Sequence, residues 1–309
     1  MTIIKHIILG TLLGGLVCSC SYKKNDRVHR TEDYFLIVKA DKCFNLDSET
    51  VQTTEYLQLF KSGEEIIFSF VNEYDNSIVL YDYATGENMR KIKFEREGAN
   101  GINSVTSYLI INEDSIYLYD RTTHLLSLAN DRSIVKDKKR INIVRCLKGD
   151  SIFAPSELFP RTNSPILKIG DELLLSGTLF YEFEGENDSN RPVMAFYNLQ
   201  KNTIRYSDSY PSMYHSGNWG GSFTYRFPYY TLSPNNELVI SFAADHNIRV
   251  HHVDSLQYHE FYAGTKEDIV IEPVEKSLDF EHFSPEADRD HYVPVSYTHL
   301  RAHETRHDL

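Results

Sequence analysis

Ser77-Ile-Val-Leu-Tyr-Asp82 and Ser115-Ile-Tyr-Leu-Tyr-Asp120 are two versions of one phrase, 38 residues apart. Each sits inside a run of short apolar stretches separated by turn residues. Around the first lie Glu65-Ile-Ile-Phe-Ser-Phe70, a turn at Tyr74-Asp75-Asn76, a second turn at Ala84-Thr85-Gly86, and the stretch from Asn88 to Phe94. Around the second lie Tyr108-Leu-Ile-Ile111, a turn at Asn112-Glu113-Asp114, His124-Leu-Leu-Ser-Leu128 and a turn at Asn130-Asp131. Alternating apolar runs bounded by Asn, Asp and Gly predict strands joined in meanders.

Looser copies follow. Val193-Met-Ala-Phe-Tyr-Asn198 comes after Glu172-Leu-Leu-Leu-Ser176, and Ile248-Arg-Val-His-His-Val-Asp254 after Glu237-Leu-Val-Ile-Ser-Phe242. If Asp82, Asp120, Asn198 and Asp254 are equivalent, their spacings are 38, 78 and 56, and the middle interval holds two units or one with an insertion. Repeats near 40 residues, each a strand meander ending in a polar turn, are the signature of a β-propeller. A lone twisted four-stranded sheet cannot bury both faces, so such sheets stack face to face around an axis. The expected fold is therefore all-β, a β-propeller, with room for roughly six blades or fewer at about 40 to 45 residues each. A β-sandwich is the rival, but it would not repeat a phrase.

Composition agrees. The chain has 309 residues, 41% hydrophobic and 25% charged, with 21 Tyr and 17 Phe but a single Trp. That is ample apolar material for a core, and Tyr-rich, β-branched segments favour strands. The net charge of −12 argues against nucleic acid, which needs a basic face to neutralise phosphates.

Both ends read as separate from the fold. Residues 1–19 have the Lys5 start and the apolar stretch Ile7 to Val17 of a signal peptide, too short to span a bilayer. Leu16-Val17-Cys18-Ser19-Cys20 resembles a bacterial lipobox, which makes Cys20 the expected lipid anchor; a secretory signal with an incidental Cys is the alternative. The membrane would then be a partner through the N-terminal lipid, with 20–33 as tether. The segment after Cys20 lacks an acidic run that resembles a surface-export signal, so the periplasmic face is favoured over the cell surface. Val295-Ser-Tyr-Thr-His-Leu-Arg-Ala-His-Glu-Thr305 looks like a translated sequencing adapter, so 295–309 is expected to be a non-native tail. The propeller domain is then 34–294, C-terminally incomplete.

With Cys20 lipidated, Cys43 and Cys146 remain; a disulfide is possible outside the cytoplasm, though two buried thiols are the simpler reading. No zinc spacing is present.

Three pieces carry a resemblance to a known family: Asp82-Tyr-Ala-Thr-Gly86, Glu97-Gly-Ala-Asn-Gly-Ile102, and Tyr210-Pro-Ser-Met-Tyr-His-Ser-Gly-Asn-Trp-Gly-Gly221. With the lipobox ahead of them, the chain resembles the domain of unknown function 4221 family of Bacteroides-type lipoproteins. The resemblance implies a six-bladed propeller lipoprotein somewhat longer than this chain. It carries no established activity and transfers no catalytic residue.

The candidate ligand-binding residues are Tyr214, His215, Asn218, Trp219, Arg226, Tyr229 and Tyr230, in a loop holding the only Trp. Aromatic faces, amides and an Arg are the equipment of a sugar or peptide cleft. The competing reading is that Trp219 fills space between blades. Asp245, His246, His251, His252 and His259 could suggest a metal, but adjacent strand residues point to opposite faces, so exposed strand histidines are expected instead. The pairs Glu64-Glu65, Glu113-Asp114 and Asp171-Glu172 fall at predicted turns, where solvated carboxylates explain them better than glycoside hydrolysis. No nucleophile elbow, zinc motif or phosphate-cradling loop is found. The expectation is a non-catalytic module for a glycan, peptide or envelope protein, without cofactor or metal. A propeller-scaffold enzyme acting on carbohydrate or peptide is the alternative.

Overall fold

Four antiparallel sheets, each a simple meander, follow one another along the chain in the computed structural model, which describes residues 41–141, 157–178, 191–215, 226–255 and 257–264. The first blade is β1 (Leu57–Ser62), β2 (Glu65–Asn72), β3 (Ser77–Asp82) and β4 (Asn88–Lys93). The second is β5 (Ser107–Asn112), β6 (Ser115–Asp120), β7 (Leu125–Ala129) and β8 (Val135–Arg140). In the third, the short strand β9 (Glu157–Leu158) and β10 (Leu167–Ile169) both pair with β11 (Glu172–Thr178), which continues into β12 (Pro192–Asn198) and β13 (Thr203–Ser209). The fourth is β14 (Pro228–Leu232), β15 (Glu237–Phe242), β16 (Asn247–His252) and β17 (His259–Tyr262).

Side-chain alternation shows how the sheets are stacked. Tyr108 and Ile110 of β5 pack with Ile78 and Leu80 of the first blade, while Leu109 between them joins Leu173 and Leu175 of the third. Leu174 turns the other way and packs with Leu238, Ile240 and Phe242 of the fourth. Consecutive residues on one strand thus serve two different neighbours, because Cβ atoms alternate across a sheet. Each of these fully buried aliphatic side chains contributes roughly 1.5–3 kcal/mol of apolar burial. A sandwich would have one inner layer; here every middle blade is buried on both faces, the arrangement of a β-propeller.

The strand phrase is real, but its phase differs from the sequence expectation. Ser77–Asp82 is the third strand of its blade, whereas Ser115–Asp120 is the second strand of the next. Asp82, Asn198 and Asp254 follow or end third strands, and Asp120 ends a second one. The interval from Asp120 to Asn198 accordingly contains one blade with an insertion. The recurrent final residue has a local cause: Asp82 Oδ1 accepts the Thr85 N–H, Asp120 Oδ1 those of Thr122 and Thr123, and Asn198 Oδ1 those of Gln200 and Lys201. These Asx turns suit any tight strand connection, so the phrase marks hairpins and not blade position.

The first blade's other face is covered in part by the segment before it. Phe44 stacks on Phe68 with ring centroids 4.3 Å apart and meets Tyr81 edge-on at 5.5 Å. Gly86, at φ +79°, permits this approach: a Cβ there would stand 2.5 Å from the Cys43 carbonyl oxygen. Cys43 is exposed, and Cys146 lies outside the described residues. So do Cys20, residues 1–33 and the 295–309 tail. Among the described residues no helix is long and apolar enough to cross a membrane.

Candidate functional site

The insertion in the third blade builds the most distinctive local structure. Between β9 and β10 the chain leaves the line of the sheet as Phe159-Pro-Arg-Thr-Asn-Ser-Pro165 and returns at Ile166. Two prolines bracket four turn-forming or polar residues, a pattern that opposes a continuous strand. Arg161 and Ser164 exchange backbone hydrogen bonds of 3.1 and 3.0 Å, closing a small hairpin. Its root is held by the Ser176 hydroxyl, which donates to the Phe159 carbonyl, and by the Ile166 N–H, which donates to the Tyr56 hydroxyl at 2.9 Å.

The hairpin tip reaches blades that do not neighbour each other in sequence. The Thr162 amide and hydroxyl both donate to the Glu55 carbonyl oxygen, and the Leu57 N–H donates to the Thr162 hydroxyl, all at the start of the first blade. Toward the fourth blade, the Tyr230 N–H donates to Asn163 O, and the Tyr230 hydroxyl to Pro165 O at 2.6 Å. The hairpin therefore ties together the ends at which β1 and β14 begin.

On this frame sits a cluster of arginines and aromatic rings. The Arg161 guanidinium carbon lies 4.9 Å from the Phe159 ring centre and 4.8 Å from that of Phe227. Arg121, from the turn after β6, lies 4.0 Å from the Phe159 centre. Ring quadrupoles attract such cations and fix the plane of the guanidinium. Arg121 approaches Glu157 at 3.6 Å, and Arg161 Nη2 meets Glu55 Oε1 at 3.0 Å. Burial pushes the Tyr229 phenol up, opposed by the Arg161 charge and a hydrogen bond with Asn163. Arg226, buried, immediately precedes Phe227. Fixed donors on buried aromatic supports, at one end of the blades, can hold and orient an oxygen-rich ligand.

The residues expected from sequence divide between this cluster and the core. Arg226 and Tyr229 adjoin it. Tyr230 is buried in the interface of the third and fourth blades. Tyr214, on a 3-10 turn Ser212–His215, is buried in that interface too, its hydroxyl accepting from the Ala244 N–H. His215 is exposed, 3.2 Å from the Tyr210 carbonyl oxygen. Asn218 and Trp219 lie outside the described residues. Phe159, Arg161, Arg121 and Phe227 were not anticipated; the Pro-bracketed turn at 160–165 is the signal that could have found the hairpin.

The histidine stretch needs one correction. His252 is exposed and His251 buried, as alternation requires, but His251 is not an exposed strand residue: its Nε2 lies 3.0 Å from Asp208 Oδ1 across the blade interface. Among the described residues no group of three or more His, Cys, Asp or Glu could hold a metal. The acidic pairs sit where expected, at the β1–β2, β5–β6 and β10–β11 turns.

Comparison with known proteins agrees with the fold. The model of a family described as a domain of unknown function, DUF4221, matches residues 34–291. A crystal structure of a DUF4221 member from Bacteroides vulgatus is similar, with a TM-score of 0.60 and 16% identity, covering 77% of this chain and 66% of that one. The chain thus spans about two thirds of that relative's length. A Bacteroides fragilis protein matches with a TM-score of 0.43 and 11% identity over 71% and 53% of the two chains. Streptogramin B lyase gives 0.41 and 13% over 72% and 58%. Neither of the last two bears on what this chain does. None of the curated proteins matches the sequence.

Proposed function

The chain belongs to the DUF4221 family, and we propose that its propeller is a non-catalytic binding module, held outside the cytoplasm by a lipid on Cys20, that takes its ligand at the hairpin 159–166. The observation that carries this reading is the hairpin itself. The first strand of the third blade is broken to place Arg161 and Phe159 against Arg121, Phe227 and Tyr229, at a junction of three blades. Local departures from regular pairing that aim side chains are features of binding sites on otherwise rigid scaffolds.

β13 ends and β14 begins at the end of the blades where the hairpin lies, and Phe227, just before β14, belongs to the cluster. Of the aromatic segment singled out from sequence, Tyr229 and Phe227 belong to the proposed ligand surface. The lipobox-like Leu16–Cys20 supports the anchor and its extracytoplasmic setting.

The test is a panel of glycans and peptides offered to the full-length protein, with binding and product formation followed together. Saturable binding without product is the expected result. Turnover of any member of the panel would replace the module by an enzyme.

A further inference from the structure

We propose that the ligand carries carboxylates, and that the Glu55 side chain occupies the place of one of them. This rests on the hairpin being the binding site. Arg161 lies over two rings, which hold the guanidinium in place and leave N–H groups along its edge to recognise a partner. An Arg edge matches a carboxylate with two parallel hydrogen bonds. The carboxylate now there is held by one contact, Nη2 to Oε1 at 3.0 Å, and the Glu55 side chain is 57% exposed.

The Glu55 backbone, by contrast, is pinned. Its carbonyl oxygen accepts both the amide and the hydroxyl of Thr162. The side chain can therefore swing away without disturbing the junction of the blades. Exposed ion pairs contribute little, so displacement by an incoming carboxylate is easy.

Arg121 supplies a second guanidinium. Both arginine carbons lie against Phe159, at 4.0 and 4.9 Å from its centre, which puts them within about 9 Å of each other. A ligand with more than one carboxylate can engage both, one at Arg161 and one at Arg121 beside Glu157. Uronic-acid sugars and acidic peptides offer the same group, and the assay separates them.

The experiment is calorimetric titration of the full-length protein, in detergent, with trigalacturonic acid, its methyl ester and triglutamate. Binding of one acid, with the neutral ester at least tenfold weaker, is expected and identifies the source. Arg161→Gln should weaken binding at least tenfold at an unchanged melting temperature, and Arg161→Lys should fall between. Glu55→Gln should tighten it roughly two- to fivefold by removing the competitor. Failure of both acids to bind at millimolar concentration, equal binding of the ester, an unaffected Arg161→Gln variant, or weaker binding by Glu55→Gln would each overturn the inference. Saturable binding of a neutral glycan at the hairpin would overturn it while leaving the binding-module reading in place.

Discussion

His251 Nε2 lies 3.0 Å from Asp208 Oδ1, joining β16 of the fourth blade to β13 of the third. The other ring nitrogen, Nδ1, is 2.9 Å from the His252 carbonyl oxygen. Both nitrogens face oxygens that accept, an arrangement that favours the doubly protonated ring and raises its pKa. Asp208 reaches it from a left-handed backbone conformation, φ +55°, and its second oxygen accepts the Ser207 hydroxyl. A non-glycine residue there costs on the order of 1–2 kcal/mol.

This pair gives the protein a pH dependence of definite sign. The hydrogen bond with Asp208 raises the His251 pKa above 6.5, against the opposing effect of burial. A raised folded-state pKa stabilises fully below the unfolded value and is lost as pH rises through the folded one. The melting temperature of the wild type should therefore exceed that of His251→Gln most below about pH 6.5, and the gap should shrink as pH rises above it. A gap constant with pH, or widening toward alkaline pH, would show that the ring is neutral in the fold.

Asn76 is the buried hinge between the first two blades. At φ +57° its amide donates to the carbonyls of Phe94 and Ile102 and its Oδ1 accepts the Val105 N–H. Asn76→Ala leaves three buried backbone groups without partners and should cost about 3 kcal/mol, roughly 6–12 °C in melting temperature. A loss under 1 kcal/mol by denaturant titration would mean that water replaces the amide.

Gly86 governs the segment that covers the first blade. Gly86→Ala combines a left-handed residue with a clash on the Cys43 carbonyl oxygen. The expected result is a loss of about 1–3 kcal/mol and faster proteolysis near residues 41–47 as Phe44 leaves Phe68. Unchanged cleavage there would show that the segment does not depend on this approach.

Tyr56→Phe tests how the hairpin is seated. It removes the acceptor for the Ile166 N–H while keeping the ring, whose centroid is 5.1 Å from that of Tyr108. A destabilisation of about 1–2 kcal/mol, with faster hydrogen exchange at Ile166, is expected. Exchange as slow as in the wild type would show that the Tyr56 hydroxyl does not hold Ile166 in place.

What the sequence disclosed, and what it hid, follows from which strands bear apolar faces. β2, β3, β5, β6, β11, β12, β15 and β16 are legible because they pack against a neighbouring blade on at least one face and read as apolar runs. β8, Val135-Lys-Asp-Lys-Lys-Arg140, is an edge strand whose charges discourage pairing with another chain, so it carries no apolar period. Blade phase was misread at Asp120 because an Asx turn serves equally after a second or a third strand. Tyr214 and Tyr230 are of the type found in ligand clefts, yet composition does not say which way a ring points, and packing turned both into the core. The hairpin was hidden because Phe159–Pro165 reads as an ordinary loop until the pairing of β9 and β10 with one strand shows it to be an interruption.

Amide hydrogen exchange of the full-length protein, with and without saturating amounts of whichever acid binds, trigalacturonic acid or triglutamate, tests the site most directly. The account predicts slowed exchange at Arg161–Ser164 and at the start of β14, with the β1–β2, β5–β6 and β10–β11 turns unchanged. Protection confined to those turns, or none at the hairpin, would contradict it.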